Sequence, residues 1–437
     1  MIVLIAFTAF VADYGLMWVS RRQAQNSADA GALAGAVALA YDNFTDRSDT
    51  GPAKESAHNV AVANFVAGEA PEVDITTDVY FYDDDPTKFP DLCADDTCIR
   101  VDVYRNQDEN NPLPVWFGQL VGLVDQGVRA TAIARASYGN ASDCLKPWAV
   151  IDRWAEYWDD NMPTTDPWDL TDTYDRYNKD GDLDPLITAP DVYQPASVSD
   201  TDGDGNPEMN TYDPGTGYNP YTYSSGTPTG YSSDYGRQIS LKMGDQGDWN
   251  FGAGWFMRLN LAPFDTDEDG ESCTSSGANC YREHIKGCVG VTWAIGDELM
   301  IDNNPGNAVG PTENAVGGEG DKNQDADSLF NQDSDASWYD PDGDGTGQPG
   351  HVVNCDNPCP RVVAIPLVNP DALMDAFKNG RNTVPIANIA GFFVEGVTGN
   401  GSDQAVVGRL VSMPGLKTEG NGGSAPSTFM VNISLIR

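Results

Sequence analysis

The amino-acid sequence predicts an α+β protein: a long N-terminal helix, a small helix-backed β-sheet, and a large β-rich region with acidic loops. The first 41 residues contain no proline and few charges. Segments between residues 73 and 138 alternate apolar and polar side chains, which is typical of half-buried strands. The rest joins strand-like runs through loops rich in Gly, Asp, Asn and Pro. We expect three regions, at residues 1–41, 42–139 and 140–437.

The N-terminal helix begins with the apolar run MIVLIAFTAFVADYGLMWVS, which is followed by Arg21 and Arg22. At about 1.5 Å per residue this run approaches the hydrocarbon thickness of a bilayer, about 30 Å. Since the first proline of the chain is Pro52, the helix is expected to continue to about Tyr41. Asp13 is the one charge inside the run, and burial of a charge requires a partner. The expected partners are a neighbouring copy's N-terminal amine, or Arg21 or Arg22 of a staggered neighbour.

The second half of this helix consists largely of alanine and glycine. Gly31 and Gly35 have the GxxxG spacing that lets two helix backbones approach closely. The pattern predicts packing against copies of the same helix, within a membrane or a filament core. A simple single-pass anchor is the alternative. A secretory signal peptide is disfavoured, because its basic residues precede the apolar run and here they follow it.

The run FVADYGLMWVSRRQAQNSADAGALAGA resembles the N-terminal signature of the TadE/TadG-like (Tad/Flp) pilus assembly family. The matching residues are Asp13, Gly15, Arg21, Arg22, Gln25, Asn26, Ala28, Asp29, Ala30, Ala32, Leu33, Ala34, Gly35 and Ala36. A weaker similarity returns near residues 362–366 and 389–409. The resemblance implies a pseudopilin-like helix, passage through the inner (cytoplasmic) membrane, contact with the Tad pilus machinery, and display at the cell surface. Family members usually carry a short basic leader, so the resemblance implies either prepilin-type processing just before Met1 or a sequence trimmed at that point.

Beyond this helix the pattern predicts elements of both kinds. In the small region we expect a helix at 52–68, strands at 73–82 and 98–106, a short helix at 114–123 and a strand at 128–138. In the large region the expected strands are 239–243, 255–261, 289–295, 361–368, 386–397, 405–413 and 427–436. A β-sandwich or an irregular β-domain accounts for this series.

The charge balance is strongly acidic. The chain has 25 Lys and Arg residues against 66 Asp and Glu residues, a net charge of −41. Such a surface repels nucleic acid and anionic lipid, so nucleic-acid binding is excluded as a function. It also repels itself unless cations neutralise part of it.

The acidic residues are clustered in loops. Three segments fit the pattern DxDxDG, a fourth at 178–184 is similar but out of register, and Asp321, Asn323, Asp325 and Asp327 form a possible fifth. Alternate carboxylates on a tight turn converge as Ca²⁺ ligands, so the sequence predicts bound calcium over merely solvated loops. The twelfth position is Thr211, Ser276 or His351 instead of the Glu of an EF-hand. The predicted ligands are Asp200, Asp202, Asp204, Asp265, Asp267, Asp269, Asp340, Asp342, Asp344, Asn178, Asp180, Asp182 and Asp184.

Eight cysteines allow 105 pairings. Short separations suggest local bridges, which leaves one long-range pair. The suggested pairs are Cys93 with Cys98, Cys273 with Cys280, Cys355 with Cys359, and Cys144 with Cys288. A metal site is the alternative, but the chain has no CxxC motif and only three histidines. Disulfides indicate an oxidising compartment.

These patterns predict a structural subunit of an extracellular Tad or type IV-like pilus, a homopolymer assembled through its N-terminal helix and stabilised by calcium and disulfides. The alternative is a membrane-anchored minor pilin or adhesin that does not polymerise. A secreted calcium-dependent glycan binder or hydrolase is less favoured. HExxH, GxSxG and phosphate-loop motifs are absent, so we expect no enzymatic activity. His284 is interpreted as a surface residue, and Trp148, Trp154, Trp158 and Trp168 as either loop packing or a glycan platform.

Overall fold

The computed structural model divides the chain into two compact units, residues 1–137 with 432–437 (unit 1) and residues 138–431 (unit 2). It describes residues 2–41, 46–90, 93, 97–122, 124–156, 168–178, 180–187, 190–198, 212–224, 227–244, 251–264, 273, 277–302, 309–341, 350–356, 358–379, 382–399, 403–418 and 426–436. In the N-terminal helix, side chains are described from Val11 onward.

Unit 1 consists of two helices on a small antiparallel sheet. Its elements are α1 (Ile2–Tyr41), α2 (Pro52–Ala63), β1 (Val79–Phe81), β2 (Cys98–Arg105) and β3 (Val128–Gly139), with 3₁₀ turns at Pro86–Lys88 and Gly118–Val121. β2 lies between β1 and β3, with Val101 opposite both Val79 and Ala132. The sequence divides 1–41 from 42–139, but the structure places helix and sheet in one unit because they share a core.

Alternation along β2 places Ile99, Val101 and Val103 in this core, as the pattern predicts. Asp102, on the opposite face of the strand, is also fully buried. Arg100 and Arg129 form ion pairs with its carboxylate at 2.9 and 3.1 Å, and Thr131 donates a hydrogen bond at 2.5 Å. Their side chains cover the charge and compensate its desolvation.

Unit 2 contains the remaining helices and strands. These are β4 (Ala141–Ser142), β5 (Trp148–Ile151), β6 (Tyr221–Ser224), β7 (Thr227–Tyr231), β8 (Gln238–Met243), β9 (Trp255–Arg258), α3 (Ala278–Lys286), β10 (Trp293–Ala294), β11 (Glu298–Met300), α4 (Val309–Val316), α5 (Leu329–Gln332), β12 (Ser337–Tyr339), β13 (His351–Val353), β14 (Val362–Val368), α6 (Pro370–Lys378), β15 (Thr383–Thr398), β16 (Ala405–Val411) and β17 (Met413–Pro414). The last strand, β18 (Ser427–Ile436), contributes residues to each unit.

In the described part of unit 2, the main sheet closes on itself in the order β15, β14, β5, β9, β8, β16 and back to β15. The 16-residue strand β15 makes closure possible, because it pairs with β14 on one side and β16 on the other. The register shifts between Val394 and Gly396, where Gly396 has φ +150° and lets the strand bend. The result is one closed sheet around a core that includes Trp148, where the sequence predicted a sandwich or an irregular domain.

All eight cysteines lie among the described residues and are paired as the separations suggested. The bridges are Cys93–Cys98, Cys144–Cys288, Cys273–Cys280 and Cys355–Cys359. The first lies in unit 1 and the others in unit 2. The bridge between Cys144 and Cys288 joins residues 144 apart in the sequence and therefore constrains the unfolded chain most.

Candidate functional site

One face of the rear half of α1, from Gln23 to Tyr41, is buried in unit 1. Ser27 donates a hydrogen bond to the carbonyl oxygen of Ala61 at 2.8 Å, which sets α1 directly against α2. A Cβ at Gly31 would lie 2.8 Å from the Cβ of Ala61, and one at Gly35 would lie 2.9 Å from the Cβ of Ala57. Among the described side chains of α1, six small ones are fully buried: Ser20, Ala24, Ser27, Ala28, Ala32 and Ala36.

This packing corrects the role predicted for Gly31 and Gly35. The close helix approach is real, but its partner is α2 of the same chain instead of a second copy. The face that the two glycines occupy has no room for another helix, because α2 already contacts it. The sequence does not identify this partner, because α2 has no GxxxG pattern. The available signal is the helical spacing of its alanines at positions 53, 57 and 61.

The front of α1 has the opposite character. Val11, Tyr14, Trp18 and Val19 are each about half exposed, between 48% and 56%. Arg21 and Arg22 are also exposed, and the guanidinium of Arg22 lies 6.0 Å from the centre of the Trp18 ring. The helix therefore presents an apolar, aromatic surface that ends at a pair of cations.

Asp13 is held by the loop that precedes the 3₁₀ turn Gly118–Val121. Its carboxylate accepts hydrogen bonds from the backbone N–H groups of Trp116, Phe117 and Gly118 at 3.1, 3.0 and 2.6 Å. Consecutive N–H groups directed at one carboxylate form an anion-binding concavity. Within this chain the partner of Asp13 is therefore the chain's own loop, and contact with a neighbouring copy's amine or with its Arg21 or Arg22 stays a prediction.

The acidic loops lie mostly outside the described residues. Asp200, Asp202, Asp204, Asp265, Asp267, Asp269, Asp342 and Asp344 are not among them, and only Asp340 and Pro341 of the third motif are described. In the part of the chain that the structure describes, no group of three or more His, Cys, Asp or Glu side chains is placed to hold a metal ion. The calcium prediction for these loops stays a prediction.

The fourth acidic loop, residues 178–184, is described except for residue 179 and forms a tight turn. The side-chain oxygen of Asn178 accepts from the N–H of Asp180 at 2.9 Å and of Asp182 at 3.1 Å. The Asp182 carboxylate pairs with Lys378, and Asp184 accepts from the N–H of Leu186. Protein donors thus engage side-chain oxygens of Asn178, Asp182 and Asp184, three of the four ligands predicted for this loop.

Asp325 and Asp327 face protein cations. The Nζ of Lys286 lies 2.9 Å from Asp327 and 3.5 Å from Asp325, and Arg282 lies 3.3 Å from Asp325. The hydrogen bond from Lys286 lowers the pKa of the Asp327 carboxyl. Helix α3 therefore neutralises these acids within the chain.

A buried polar cluster in unit 2 was not foreseen from the sequence. Asp152 is 1% exposed and accepts hydrogen bonds from Tyr193 Oη at 2.9 Å and from the N–H of Tyr218 at 2.8 Å. Burial raises the pKa of Asp152 to about 6. Glu156 accepts from the indole of Trp154, and desolvation raises its pKa to about 7. Asp152 follows directly on the apolar strand β5, which is the one signal that could have indicated burial.

The tryptophans proposed as a glycan platform serve packing. Trp148, Trp154 and Trp168 are 0%, 1% and 7% exposed, and Trp158 lies outside the described residues. The guanidinium groups of Arg153 and Arg237 lie 5.1 and 5.4 Å from the centre of the Trp168 ring. His284 was interpreted as a surface residue, but it is buried on α3 at 4% exposure.

Helix α1 therefore combines a rear half with one face buried in unit 1 and a front with exposed apolar side chains. Residues 1–38 match the sequence model of the family described as putative Flp pilus-assembly TadE/G-like, which confirms the resemblance in that segment. The match indicates a pilus-related role and a cell-surface or pilus location. No curated protein and no solved structure matches the chain. Among the described residues, none of the helices has the length and apolar character needed to cross a membrane.

Proposed function

We propose that the chain is a non-catalytic structural component of a Tad/Flp-type pilus system, held at the cell surface through the front of α1. One observation carries this proposal: the segment that matches the family is the helix whose rear is buried in unit 1 and whose front is exposed and apolar. An exposed apolar helix end in a folded protein indicates a further binding partner.

Two modes of attachment follow from this arrangement. In a polymer, α1 packs against copies of itself; in a minor component, α1 holds a single copy in the membrane. Helix α2 packs against Gly31 and Gly35, the residues that suggested a filament core, and so leaves no space there for a second copy. This contact favours the minor, non-polymerising component. The polymer remains the alternative, in which the surface from Val11 to Val19 contacts neighbouring copies.

The remainder of the chain is proposed to form a rigid exterior. The disulfide bonds constrain both units, and calcium in the acidic loops would reduce the repulsion among 66 carboxylates. Extracellular calcium modules bind in the submillimolar to millimolar range, so such ions would be retained outside the cell.

Membrane fractionation and negative-stain microscopy of the full chain test the proposal. The full chain should extract only with detergent and show single particles without fibres. A variant with Val11→Ser, Trp18→Ser and Val19→Ser keeps Asp13 and the α1–α2 contact but makes the exposed front of α1 polar, and a larger fraction of it should be released without detergent. Fibres from the full chain would establish the polymer instead. Release of the full chain without detergent would reject attachment through α1.

A further inference from the structure

The loop at residues 113–119 is held rigidly in unit 1. Leu113 and Val115 are buried at 1% and 7% exposure, and the N–H of Leu113 donates to the carbonyl of Gln126 at 2.8 Å. The side-chain amide of Gln126 donates to the carbonyl of Pro114 at 2.9 Å, and that of Gln119 to Val115 at 3.1 Å. Together with the Asp13 carboxylate, these contacts fix the backbone of the loop.

This rigid loop exposes its largest apolar side chains. Trp116 is 69% exposed and Phe117 is 40% exposed, although their N–H groups are bound by Asp13. Fixing a backbone while leaving an indole in water gives no stability to the isolated chain, since the indole buries little apolar area. The arrangement is typical of a surface made to contact something else.

The position of the loop along α1 indicates which partner fits. No charged residue precedes Asp13 in the helix, and Arg21 and Arg22 follow it. The change from apolar to charged residues along α1 therefore begins at Asp13, where the loop is attached, and is complete at Arg21. Tyr14 and Trp18, both exposed, lie within about a turn and a half beyond that level, and Trp18 Nε1 donates to Tyr14 Oη at 3.3 Å.

We propose that Trp116 and Phe117, together with Tyr14 and Trp18, contact the headgroup region of a lipid bilayer. Trp and Tyr concentrate at that depth because each combines an apolar ring with a polar atom. Asp13 is the positioning residue: it holds the loop at this depth, and the three N–H groups that donate to its oxygens reduce the unfavourable free energy of a carboxylate near hydrocarbon. The inference rests on the proposed attachment through α1.

Charge favours lipid over a second copy as the occupant. Arg21 and Arg22 adjoin the aromatic residues and complement lipid phosphates. A second copy would bring another net charge of −41 towards the same surface, which opposes close approach. The same net charge opposes anionic lipid, so a zwitterionic bilayer is the appropriate probe.

Site-specific fluorescence on the full chain tests the inference. Because all eight cysteines are paired, an added cysteine provides a single free thiol for an environment-sensitive dye. The dye is placed by Phe117→Cys in the loop, Val19→Cys on α1, or Leu186→Cys, an 82% exposed position in unit 2. With phosphatidylcholine vesicles, the dyes at 117 and 19 should shift to shorter wavelength, and the dye at 186 should not.

The pattern of responses separates the two proposals. A shift at 19 without one at 117 overturns the loop contact and leaves attachment through α1 intact. A shift at neither position overturns both. A shift at 117 that needs no lipid, but grows with protein concentration, assigns the surface to a second copy and overturns the lipid contact.

Partition into the same vesicles gives a second readout. The double variant Trp116→Ser with Phe117→Ser should bind at least about tenfold more weakly, because interfacial affinity scales with buried apolar area. Leu170→Ser is the matched control, since Leu170 is also 40% exposed but lies in unit 2. Asp13→Asn should weaken binding while α1 stays helical by circular dichroism. Equal binding by the double variant and the parent chain contradicts the inference.

Discussion

At the scale of single residues, the close spacing between α1 and α2 depends on Gly31 and Gly35, which have no side chain. A Cβ at Gly31 would lie 2.8 Å from the Cβ of Ala61 and 2.9 Å from the backbone oxygen of Ala57. Neither atom belongs to a flexible side chain, so one of the helices has to shift.

Gly31→Ala should therefore lower the free energy of unfolding by roughly 1–3 kcal/mol through overpacking, although alanine is the better helix former. Gly15→Ala on the same helix is the matched control, because a Cβ there meets no atom within 4 Å. The control should be neutral or more stable by up to about 1 kcal/mol. Denaturant unfolding measures both variants, and equal stability of the two would contradict the close packing of α1 on α2.

Asp13 offers a second residue-scale prediction. In Asp13→Asn the side chain loses its charge and presents an amide N–H₂ group to one of the loop donors, so the loop should open more often. Amide hydrogen exchange at Trp116, Phe117 and Gly118 should accelerate, while exchange in β2 stays unchanged. Exchange at 116–118 that is the same in both chains would show that the carboxylate does not hold the loop.

Asp152 makes the stability of the folded chain depend on pH, and the direction follows from its raised pKa. Its pKa is raised by burial to about 6, above the usual value of 3.8, so the folded chain binds more protons than the unfolded chain between these values. Stability from this group is therefore present at low pH and lost as pH rises from about 4 to 6. Glu156, with a pKa raised to about 7, extends the window in the same direction.

We expect the melting temperature to rise when the pH is lowered from 8 to about 5.5. Asp152→Asn should flatten this slope, because the amide does not ionise and still accepts a hydrogen bond from the N–H of Tyr218. The control is Asp49→Asn in unit 1. Lys54 lowers the pKa of the Asp49 carboxyl, so this substitution should change the pH dependence of stability only below about pH 4. An unchanged slope in Asp152→Asn would assign the pH dependence to other groups.

At the scale of elements, local patterns identified α1, β2 and β3, because each depends on its own periodicity and composition. The strand expected at 73–82 is reduced to Val79–Phe81. The carboxylate of Asp74 accepts from the N–H groups of Thr76 and Thr77 and so forms a turn where ladder pairing was expected.

In place of the helix expected at 114–123, the structure has a loop that contacts a residue distant in the sequence. Asp13 binds the N–H groups at 116–118, and 103 to 105 residues separate donor and acceptor in the sequence. Only the 3₁₀ turn at Gly118–Val121 forms in the described part of this segment. Burial of Asp102 and of Asp152 likewise depends on residues brought in by the fold, which periodicity cannot indicate.

The disulfide bonds provide a prediction at the same scale. Removal of Cys144–Cys288 by double alanine substitution releases a loop of 144 residues and should reduce the free energy of unfolding by about 5 kcal/mol. Removal of Cys355–Cys359, which closes a separation of 4, should reduce it by only about 2 kcal/mol. Calorimetry of both variants tests the order, and an equal loss would argue against the chain-entropy account.

At the scale of the whole molecule, the large negative charge opposes folding. A net charge of −41 remains after all 25 Lys and Arg residues are counted, so ion pairs within the chain cannot reduce it, and it destabilises a compact state through self-repulsion. The DxDxDG loops concentrate acids at three positions in the sequence, which is where bound cations would relieve most repulsion.

We therefore expect chelation to destabilise the chain. At a free calcium concentration 100 times the dissociation constant, each site contributes about 2.7 kcal/mol, so EDTA should lower the melting temperature and calcium should restore it where sodium at equal ionic strength does not. Asp202→Asn with Asp267→Asn should reduce the calcium-dependent part. Asp180→Asn with Asp182→Asn is the matched control, because that loop is closed by Asn178 and Lys378 and should lose little calcium response. A melting temperature that is the same in EDTA and in calcium would mean that the carboxylates of these loops are merely solvated, and that the disulfides and the two cores withstand the repulsion alone.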